Sequence, residues 1–317
     1  MNKVAILDDY QEVSVSLADW ETLPKETQVT VFRDHLNDIS DIVQRLHGYQ
    51  IVCAMRERTP FPKTLLDNLP NLKLLITTGM RNASIDLKHA SNLGITVCGT
   101  EGLGYPTAEL TWGLIISLAR KIHQENEATK QGKWQTSLGV GLKGKTLGII
   151  GLGNLGAQVS KIGNAFGMNV IAWSHNLTKE LASTHMATLV PLEDLLKRSD
   201  FLTIHTVLSD RTRGLIGEKE ISLMKENSFL INTSRGPIVE QESLIKALEA
   251  NNIAGAGLDV FDYEPLDEKN PLLSLKNVLI TPHIGYVTKE GYEIYYSQTV
   301  ECIKKFLEGK PVRVINN

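Results

Sequence analysis

Short apolar segments alternate with amphipathic segments along almost the whole chain, and this alternation restricts the fold more than any other feature. Apolar runs of strand length with helical stretches between them are typical of βαβ units around a parallel sheet. The chain has 317 residues, which is more than one hydrophobic core usually supports. The sequence therefore predicts an α/β protein with two doubly wound parallel-sheet domains.

The candidate strands form two series, separated by a long apolar helix at 107–121 and a polar stretch at 124–136. The first series lies at 4–7, 29–32, 51–54, 72–77 and 95–97, with a helix at 38–47 that Asn37 would cap. The second series lies at 146–150, 169–173, 201–204, 228–232, 254–258 and 278–280. These six strands match a dinucleotide-binding Rossmann sheet. A final helix is predicted at 289–307.

Composition excludes several classes of function. The formal net charge is -3, which gives no strong attraction to nucleic acid or acidic membranes. No stretch approaches the ~20 apolar residues of a membrane span, and the opening MNKVAILDDY reads as a strand rather than a signal peptide. Cys53, Cys98 and Cys302 are spaced neither as a disulfide framework nor as a zinc site. We therefore expect a cytoplasmic protein with no metal, no nucleic-acid partner and no membrane partner.

Two glycine-rich motifs compete as nucleotide sites. Residues 139–146, GVGLKGKT, satisfy the G-x-x-x-x-G-K-T pattern of an ATP-binding P-loop. A working P-loop follows a buried strand and opens a helix, whose amides and dipole hold the phosphates. Here the preceding GKWQTSL is not a core strand, and a strand follows. We interpret this segment as a turn that leads into the second sheet.

The second motif, GIIGLGNLG, places Gly151, Gly153 and Gly156 between an apolar strand and a helix. Gly151 permits a tight turn, Gly153 lets the backbone approach a pyrophosphate, and Gly156 allows close packing of helix on strand. A glycine-rich turn without a ligand is the alternative, but the flanking elements favour a dinucleotide site. Asn154 and Leu155, between the glycines, belong to this predicted site.

Ser174 and His175 stand where the dinucleotide fingerprint usually has an acidic residue that binds the adenosine ribose. No carboxylate is present there to repel a 2′-phosphate, and no arginine is present to clamp one. The sequence is therefore compatible with either NAD or NADP as the cofactor.

Arg235, Glu264 and His283 each follow an apolar strand of the second series. Ligands of open α/β sheets bind at the carboxyl ends of the strands, so these groups can converge. Reduction of a 2-keto acid needs a guanidinium to hold the carboxylate and polarise the carbonyl. It also needs a proton donor, for which imidazole is suited near neutral pH, and a carboxylate that orients the imidazole and favours its protonated form. The sequence predicts hydride transfer between NAD(P)H and C2 of a small 2-keto or 2-hydroxy acid.

Each of these residues alone has a simpler explanation. A histidine after a proline is more often a loop residue than a catalyst. Glu264 alone reads as a solvated surface carboxylate, and Arg235 alone as a member of a surface ion pair. Asp259, which follows another strand, can cap the turn after it. Only their joint placement after a dinucleotide motif favours the catalytic interpretation.

The segments GIIGLGNLG, NTSRGPIV, GAGLDVFDYEP and NVLITPHIG, in this order, resemble the D-isomer-specific 2-hydroxyacid dehydrogenases. MRERTP, TTGMRNASID and TAELTWGLIISLAR extend the resemblance over nearly the whole chain. It implies that Arg235, Glu264 and His283 are the catalytic trio. It also implies a Rossmann cofactor domain, 101–285, inserted into a smaller flavodoxin-like substrate domain, 1–100 with 286–317.

The resemblance also assigns binding residues. Asp259 is expected to position the nicotinamide amide. The remaining cofactor contacts are expected from His205, Thr206, Val207, Thr212, Thr233 and Gly285. The substrate carboxylate is expected on the backbone of Gly79, Met80 and Arg81, with Arg56 close by.

A homodimer joined through the cofactor domain is implied as well, by way of the helix after Thr107 and the arm that follows it. Trp112, Leu114, Ile115 and Leu118 of the apolar helix are compatible with such an interface, and core packing is the alternative. A function of another class is a redox sensor that binds NAD(H) and reports to a partner. The intact trio of Arg235, Glu264 and His283 favours catalysis over that role.

Overall fold

The computed structural model describes residues 2–316, and the chain divides into two compact units. Unit 1 comprises the chain up to Leu103 together with the chain from Val287 onward, and unit 2 is Gly104–Tyr286. Each unit is built on its own parallel sheet. The predicted α/β architecture with two parallel-sheet domains is thus confirmed.

The sheet of unit 1 has five strands in the order β2-β1-β3-β4-β5, and all neighbours are parallel. The strands are β1 (Asn2–Ile6), β2 (Thr27–Val31), β3 (Ile51–Ala54), β4 (Leu74–Thr77) and β5 (Thr96–Gly99). The helices between them are α1 (Ile39–Leu46), α2 (Lys63–Leu66) and α3 (Leu87–Asn92). This strand order is that of flavodoxin-like sheets. Every residue of β3 and β4 is buried, as continuous apolar runs in a parallel sheet require.

The N-cap of α1 differs from the prediction. Asp38, not Asn37, caps the helix: its carboxylate accepts hydrogen bonds from the backbone N–H groups of Ser40 and Asp41. The side chain of Asn37 instead contacts the imidazole of His35. An aspartate at this position satisfies two otherwise unpaired amides of the first turn.

The sheet of unit 2 has seven parallel strands. The unit begins with helices α4 (Pro106–Arg120) and α5 (Ile122–Lys130). The strands are β6 (Thr146–Ile150), β7 (Asn169–Trp173), β8 (Thr188–Leu189), β9 (Phe201–Ile204), β10 (Phe229–Asn232), β11 (Gly255–Leu258) and β12 (Val278–Ile280). The helices are α6 (Asn154–Ala165), α7 (Lys179–Thr184), α8 (Leu192–Arg198), α9 (Glu218–Ser222) and α10 (Gln241–Glu249). The order β12-β11-β10-β9-β6-β7-β8 is the Rossmann order extended by one strand at its last edge.

Two elements of unit 2 were not predicted. The stretch predicted only to be polar contains α5. Lys121, in a left-handed conformation (φ 53°), ends α4, and α5 begins at the next residue. No α5 residue is buried, so the helix carries little apolar periodicity. β8 has only two residues and pairs only with β7, which is too short to give an apolar run.

The apolar side chains of α4 belong to the core of unit 2. Trp112, Leu114, Ile115 and Leu118 are all buried there. Because they pack inside one chain, the alternative of core packing explains them, and the homodimer stays a prediction. Residues 143–145 form a turn that leads directly into β6, so no helix follows the lysine of the P-loop-like motif.

Unit 1 is completed by α11 (Lys289–Leu307), which coincides with the predicted final helix. The side-chain oxygen of Thr288 caps it by accepting a hydrogen bond from the N–H of Gly291. Its buried face includes three tyrosines and Cys302. Within residues 2–316, no helix combines the length and the apolar character that a membrane crossing demands.

Candidate active site

The parallel sheet of unit 2 directs the carboxyl ends of all its strands to one edge. Loops that follow β6, β7, β9, β10, β11 and β12 therefore leave the sheet on the same side. All the predicted cofactor and catalytic residues of unit 2 lie in these loops or at the start of α6. Residues more than a hundred positions apart in the sequence thus lie at the same edge of the sheet.

The glycine loop after β6 has little room except at Gly153. Gly151 has φ 94°, and a Cβ there would lie 2.6 Å from the Thr206 nitrogen. A Cβ on Gly156 would lie 2.1 Å from the Gly151 carbonyl oxygen. By contrast, a Cβ on Gly153 would meet nothing within 4 Å. This open space at the N-terminus of α6 fits a dinucleotide pyrophosphate, which backbone amides and the helix dipole would hold.

Ser174 and His175 follow β7 directly, as predicted. Ser174 is half-buried, whereas His175 is exposed. The His175 ring lies edge-on to the Trp173 indole, with 4.8 Å between the ring centroids. These groups offer a hydroxyl and an imidazole at the edge of the sheet, without a carboxylate at either position.

The loop after β9 is closed by a hydroxyl. Thr212 Oγ1 donates to the carbonyl oxygen of Val207 (2.7 Å) and accepts from the Ser209 N–H (2.8 Å). His205 shares a hydrogen bond of 2.9 Å between its Nε2 and Thr203 Oγ1, and its buried Nδ1 has no hydrogen-bond partner within residues 2–316. Burial lowers the pKa of His205 to about 4, so this ring is neutral at physiological pH.

His283 and Glu264 form the shortest link in the site, with 2.5 Å between His283 Nδ1 and Glu264 Oε2. The other carboxylate oxygen, Oε1, accepts a hydrogen bond of 2.9 Å from the Phe261 N–H. The carboxylate is therefore fixed at both oxygens and fixes the imidazole in turn. His283 itself has φ 53°, an uncommon conformation for a residue with a side chain.

Asp259 holds the turn that carries His283. Its Oδ1 accepts hydrogen bonds from Thr281 Oγ1 (2.6 Å) and the Ile284 N–H (2.8 Å), and its Oδ2 accepts one from the Gly285 N–H (2.8 Å). The residue is 1% exposed, and this burial raises the pKa of its carboxyl group. Asp259 thus bonds to the turn after β12, the next strand, and not to the turn that directly follows it in sequence.

Arg235 lies in the loop after β10. Its Nη1 donates to the Ser234 carbonyl oxygen (2.7 Å), and its own carbonyl accepts from Asn232 Nδ2 (2.9 Å). The next residue, Gly236, packs against the backbone of the neighbouring loop, since a Cβ there would lie 2.0 Å from the Phe261 carbonyl carbon. The arginine loop and the loop that orients Glu264 are therefore in direct contact.

Two threonines of α4 were missed by the sequence analysis. Thr111 Oγ1 shares a 2.8 Å hydrogen bond with Thr233 Oγ1, and Thr107 Oγ1 donates to the Gly285 carbonyl oxygen (2.9 Å). One helix thereby links the loops after β10 and β12. The signal for this role was the pair of threonines four residues apart in an otherwise apolar helix.

The residues predicted for the substrate carboxylate lie in unit 1, at the carboxyl ends of β3 and β4. Arg56 Nη1 donates to the Thr78 carbonyl oxygen (3.3 Å), and a Cβ on Gly79 would lie 1.9 Å from the same nitrogen. The guanidinium thus covers Gly79, which has φ 91°. Met80 and Arg81 follow as exposed residues. Arg56 Nε also lies 3.6 Å from Glu57 Oε2. A cation beside a backbone turn is suited to an anion.

Comparison with known proteins identifies the class. The model of the D-isomer specific 2-hydroxyacid dehydrogenase NAD binding domain matches residues 112–285. A glyoxylate reductase of Aeropyrum pernix is 41% identical over 263 residues, which cover 80% of this chain and 78% of that protein. The chain therefore belongs to the D-isomer-specific 2-hydroxyacid dehydrogenase family. It is a nicotinamide-dependent oxidoreductase of that family, a 2-hydroxyacid dehydrogenase or 2-keto acid reductase.

Solved structures agree with this assignment. A phosphoglycerate oxidoreductase from Vibrio cholerae O395 superposes with a TM-score of 0.92 at 36% identity, covering 98% of this chain and 100% of the other. A D-lactate dehydrogenase from Aquifex aeolicus, complexed with NAD and lactic acid, has a TM-score of 0.80 at 28% identity and covers 96% of both chains.

Proposed function

We propose that the protein reduces a small 2-keto acid to the D-2-hydroxy acid, with His283 as the acid/base, Glu264 as its partner and Arg235 as the group that holds the substrate. The hydrogen-bonded chain from the Phe261 N–H through Glu264 to His283 carries this proposal. It holds the imidazole in one orientation, with Nδ1 toward the carboxylate. Nε2 then remains as the atom that donates a proton to the substrate oxygen and recovers one in the reverse reaction.

The bound nicotinamide supplies the hydride for reduction and accepts it in oxidation. The chain itself holds the cofactor with the glycine loop at Gly151–Gly156, with Ser174 and His175 on the adenosine side. The remaining cofactor contacts are proposed for Asn154, Leu155, His205, Thr206, Val207, Thr212, Thr233, Asp259 and Gly285. The absence of an acid at Ser174 supports use of NADP as well as NAD.

For the substrate, we assign the carboxylate to Arg56 and the backbone at Gly79, Met80 and Arg81. A guanidinium and backbone N–H groups bind a carboxylate without a metal ion. Arg235 would polarise the keto oxygen, so that negative charge developing there is stabilised as the hydride arrives. Cytoplasmic location and a homodimer remain part of the proposal.

The test is a steady-state comparison of NADH and NADPH across a panel of 2-keto acids that includes glyoxylate, hydroxypyruvate, pyruvate and bulkier members. We expect consumption of at least one reduced cofactor with at least one of these acids, and chiral analysis of the product should give the D isomer. Absence of turnover with both cofactors across the whole panel, for a folded protein that still binds NADH, would refute the proposal.

A further inference from the structure

Unit 1 contains two neighbouring thiols that the proposed chemistry does not use. Cys98 lies on β5 and Cys302 on α11, and both are fully buried. Cys302 Sγ also lies 3.8 Å from the carbonyl oxygens of Gly99 and Val312. A single buried thiol usually acts as a small apolar group, but two thiols in contact can also exchange electrons as a pair.

A half-buried cation lies beside this pair. Arg313 Nη2 lies 3.7 Å from Cys302 Sγ and is held by Glu301 Oε2 at 2.6 Å. Arg313 Nε is buried and has no hydrogen-bond partner within residues 2–316. The hydrogen bond from Cys98 and the charge of Arg313 lower the pKa of Cys302, and the same hydrogen bond raises the pKa of Cys98. This difference favours Cys302 as the attacking thiol of the pair.

The pair is covered by one short segment rather than by a sheet. Residues 313–316 run along β5, where the Gly99 N–H donates to the Arg313 carbonyl oxygen (2.9 Å) and the Ile315 N–H donates to the Val97 carbonyl oxygen (2.8 Å). The side chain of Asn316 adds hydrogen bonds to the Val97 N–H and the Ile95 carbonyl oxygen. A segment at the edge of a sheet still opens locally at a lower free energy than the core strands. Such an opening would admit a small oxidant to Cys302.

β5 connects this pair to the segment assigned to the substrate carboxylate. A Cβ on Gly99 would lie 2.7 Å from the Gly79 carbonyl oxygen and 3.0 Å from Met80 Cα. The Gly79 N–H also donates to Thr100 Oγ1 at 2.9 Å. Because Gly99 directly follows Cys98 and has no spare room, a shift of the Cys98 backbone displaces the turn at Gly79 and Met80.

We propose that Cys98 and Cys302 are an oxidation-sensitive thiol pair, which a hydroperoxide converts to a disulfide that weakens binding of the 2-keto acid. The Cys302 thiolate attacks an oxygen of the peroxide O–O bond, giving a sulfenic acid and releasing hydroxide, or, from an organic hydroperoxide, an alkoxide that takes a proton from water to become the alcohol. The Cys98 sulfur then attacks the sulfenic sulfur, forming the S–S bond and releasing water. Two thiols are oxidised and one peroxide is reduced, so atoms and electrons balance.

The disulfide is tested first, by a readout independent of activity. The fully reduced protein is treated with hydrogen peroxide, alkylated and digested without reduction, and the peptides are mapped by mass spectrometry. We expect one cross-link between the peptides of Cys98 and Cys302, with the loss of two hydrogens, reversible by dithiothreitol. C98A and C302A should each lack it. C53A is the matched control, because Cys53 is also buried in unit 1 but burial raises its pKa; this variant should form the cross-link as the wild type does.

The effect on binding rests on the proposed function and is measured separately. The oxidised protein should show a several-fold higher KM for the keto acid with an almost unchanged kcat, and dithiothreitol should restore it. Oxidised C98A and C302A should keep the KM of their reduced forms. A cross-link without any change in KM would overturn the regulatory part, and oxidation without a Cys98–Cys302 cross-link would overturn the pair itself. If the reduced protein shows no turnover at all, the proposed function fails, while the cross-link still decides whether the thiol pair exists.

Discussion

At the residue scale, the proposed proton transfer by His283 depends on the small number of orientations open to its ring. Its Nδ1 is 2.5 Å from Glu264, its backbone lies in the left-handed region, and the turn around it is bonded to the buried carboxylate of Asp259. A ring held from both its side chain and its backbone loses little conformational freedom when substrate binds. Such preorganisation is what proton transfer in the transition state requires.

Replacing His283 by alanine removes the proposed proton donor and leaves the glycine loop intact. We expect kcat to fall by about 100- to 10,000-fold, with the Kd for NADH, measured by fluorescence titration, changed only slightly. His185→Ala is the control, because within residues 2–316 the hydrogen bonds of His185 come from its backbone, whose N–H donates to the Ala182 carbonyl oxygen and whose carbonyl accepts from Ser160 Oγ. Retained activity in His283→Ala would show that His283 is not the proton donor.

Glu264→Gln separates orientation from charge. The amide oxygen can still accept from the Phe261 N–H, but the group facing His283 loses its negative charge. We expect kcat to fall by roughly 10- to 1,000-fold and the pH dependence of kcat to change, while KM for the keto acid moves little. An unaltered pH profile of kcat would show that the carboxylate charge does not act through the imidazole.

His35 makes a pH-dependent contribution to the stability of unit 1. Its hydrogen bond to the buried Asp8, 2.8 Å from Nδ1 to Oδ1, raises the pKa of His35 above its usual value. Folding therefore favours the protonated ring, and this contribution is complete below the unfolded pKa of about 6.5 and is lost as the pH rises through the raised folded value. The difference in Tm between wild type and His35→Gln should be larger at pH 6 than at pH 9; a difference independent of pH would contradict this.

At the element scale, the start of α6 combines two glycines with opposite surroundings. Gly156 is closed in by the Gly151 carbonyl, whereas Gly153 opens onto unfilled space. Gly156 therefore allows close packing of the helix on β6, and Gly153 leaves room for a ligand. The same element thus supports fold and binding through different positions.

Two alanine substitutions distinguish these roles. Gly156→Ala should destabilise the protein by roughly 1–3 kcal/mol because the new methyl group overlaps the Gly151 carbonyl. Gly153→Ala should leave stability within about 0.5 kcal/mol but raise the Kd for NADH by at least about tenfold. Thermal melting and cofactor titration of the two variants measure both effects. A Gly153→Ala protein that binds NADH normally would exclude a pyrophosphate at this position.

At the scale of the whole molecule, large apolar side chains on unit 2 remain exposed after the chain has folded. Trp134 is 78% exposed and Leu138 is 89% exposed. The segment between them is fixed to α5, since Thr136 and Ser137 both donate hydrogen bonds to Glu125. Exposed apolar groups on an anchored segment are typical of a protein interface, unlike the buried residues of α4 first considered for it.

We expect a homodimer whose interface includes this segment. The double variant Trp134→Ser, Leu138→Ser should elute with the mass of a monomer in size-exclusion chromatography with light scattering, whereas the wild type should have the mass of a dimer. Val15→Ser, which changes a 61% exposed side chain of unit 1, should remain dimeric. A double variant that stays dimeric would place the interface elsewhere.

Much of the site could be located from the sequence because its residues occupy the ends of apolar runs. The strands preceding Gly151, His205 and His283 were predicted with the bounds that the structure shows. The prediction failed where an element has no local apolar pattern: α5 has no buried residue, and β8 is two residues long. The cap of α1 was misplaced by one residue because Asn37 and Asp38 are both good caps.

The amino-acid pattern alone determined that this chain forms parallel α/β sheets and where the glycine loop and the candidate trio lie, since periodicity of apolar residues reports local burial. Only the tertiary structure decided which side chains meet. Glu264 with His283, Asp259 with the turn after β12, Thr111 with Thr233 and Cys98 with Cys302 are pairs set by the order of strands in the sheets and by helix packing. Contacts between residues so distant in sequence depend on how whole elements pack, and no local pattern of residues encodes that arrangement.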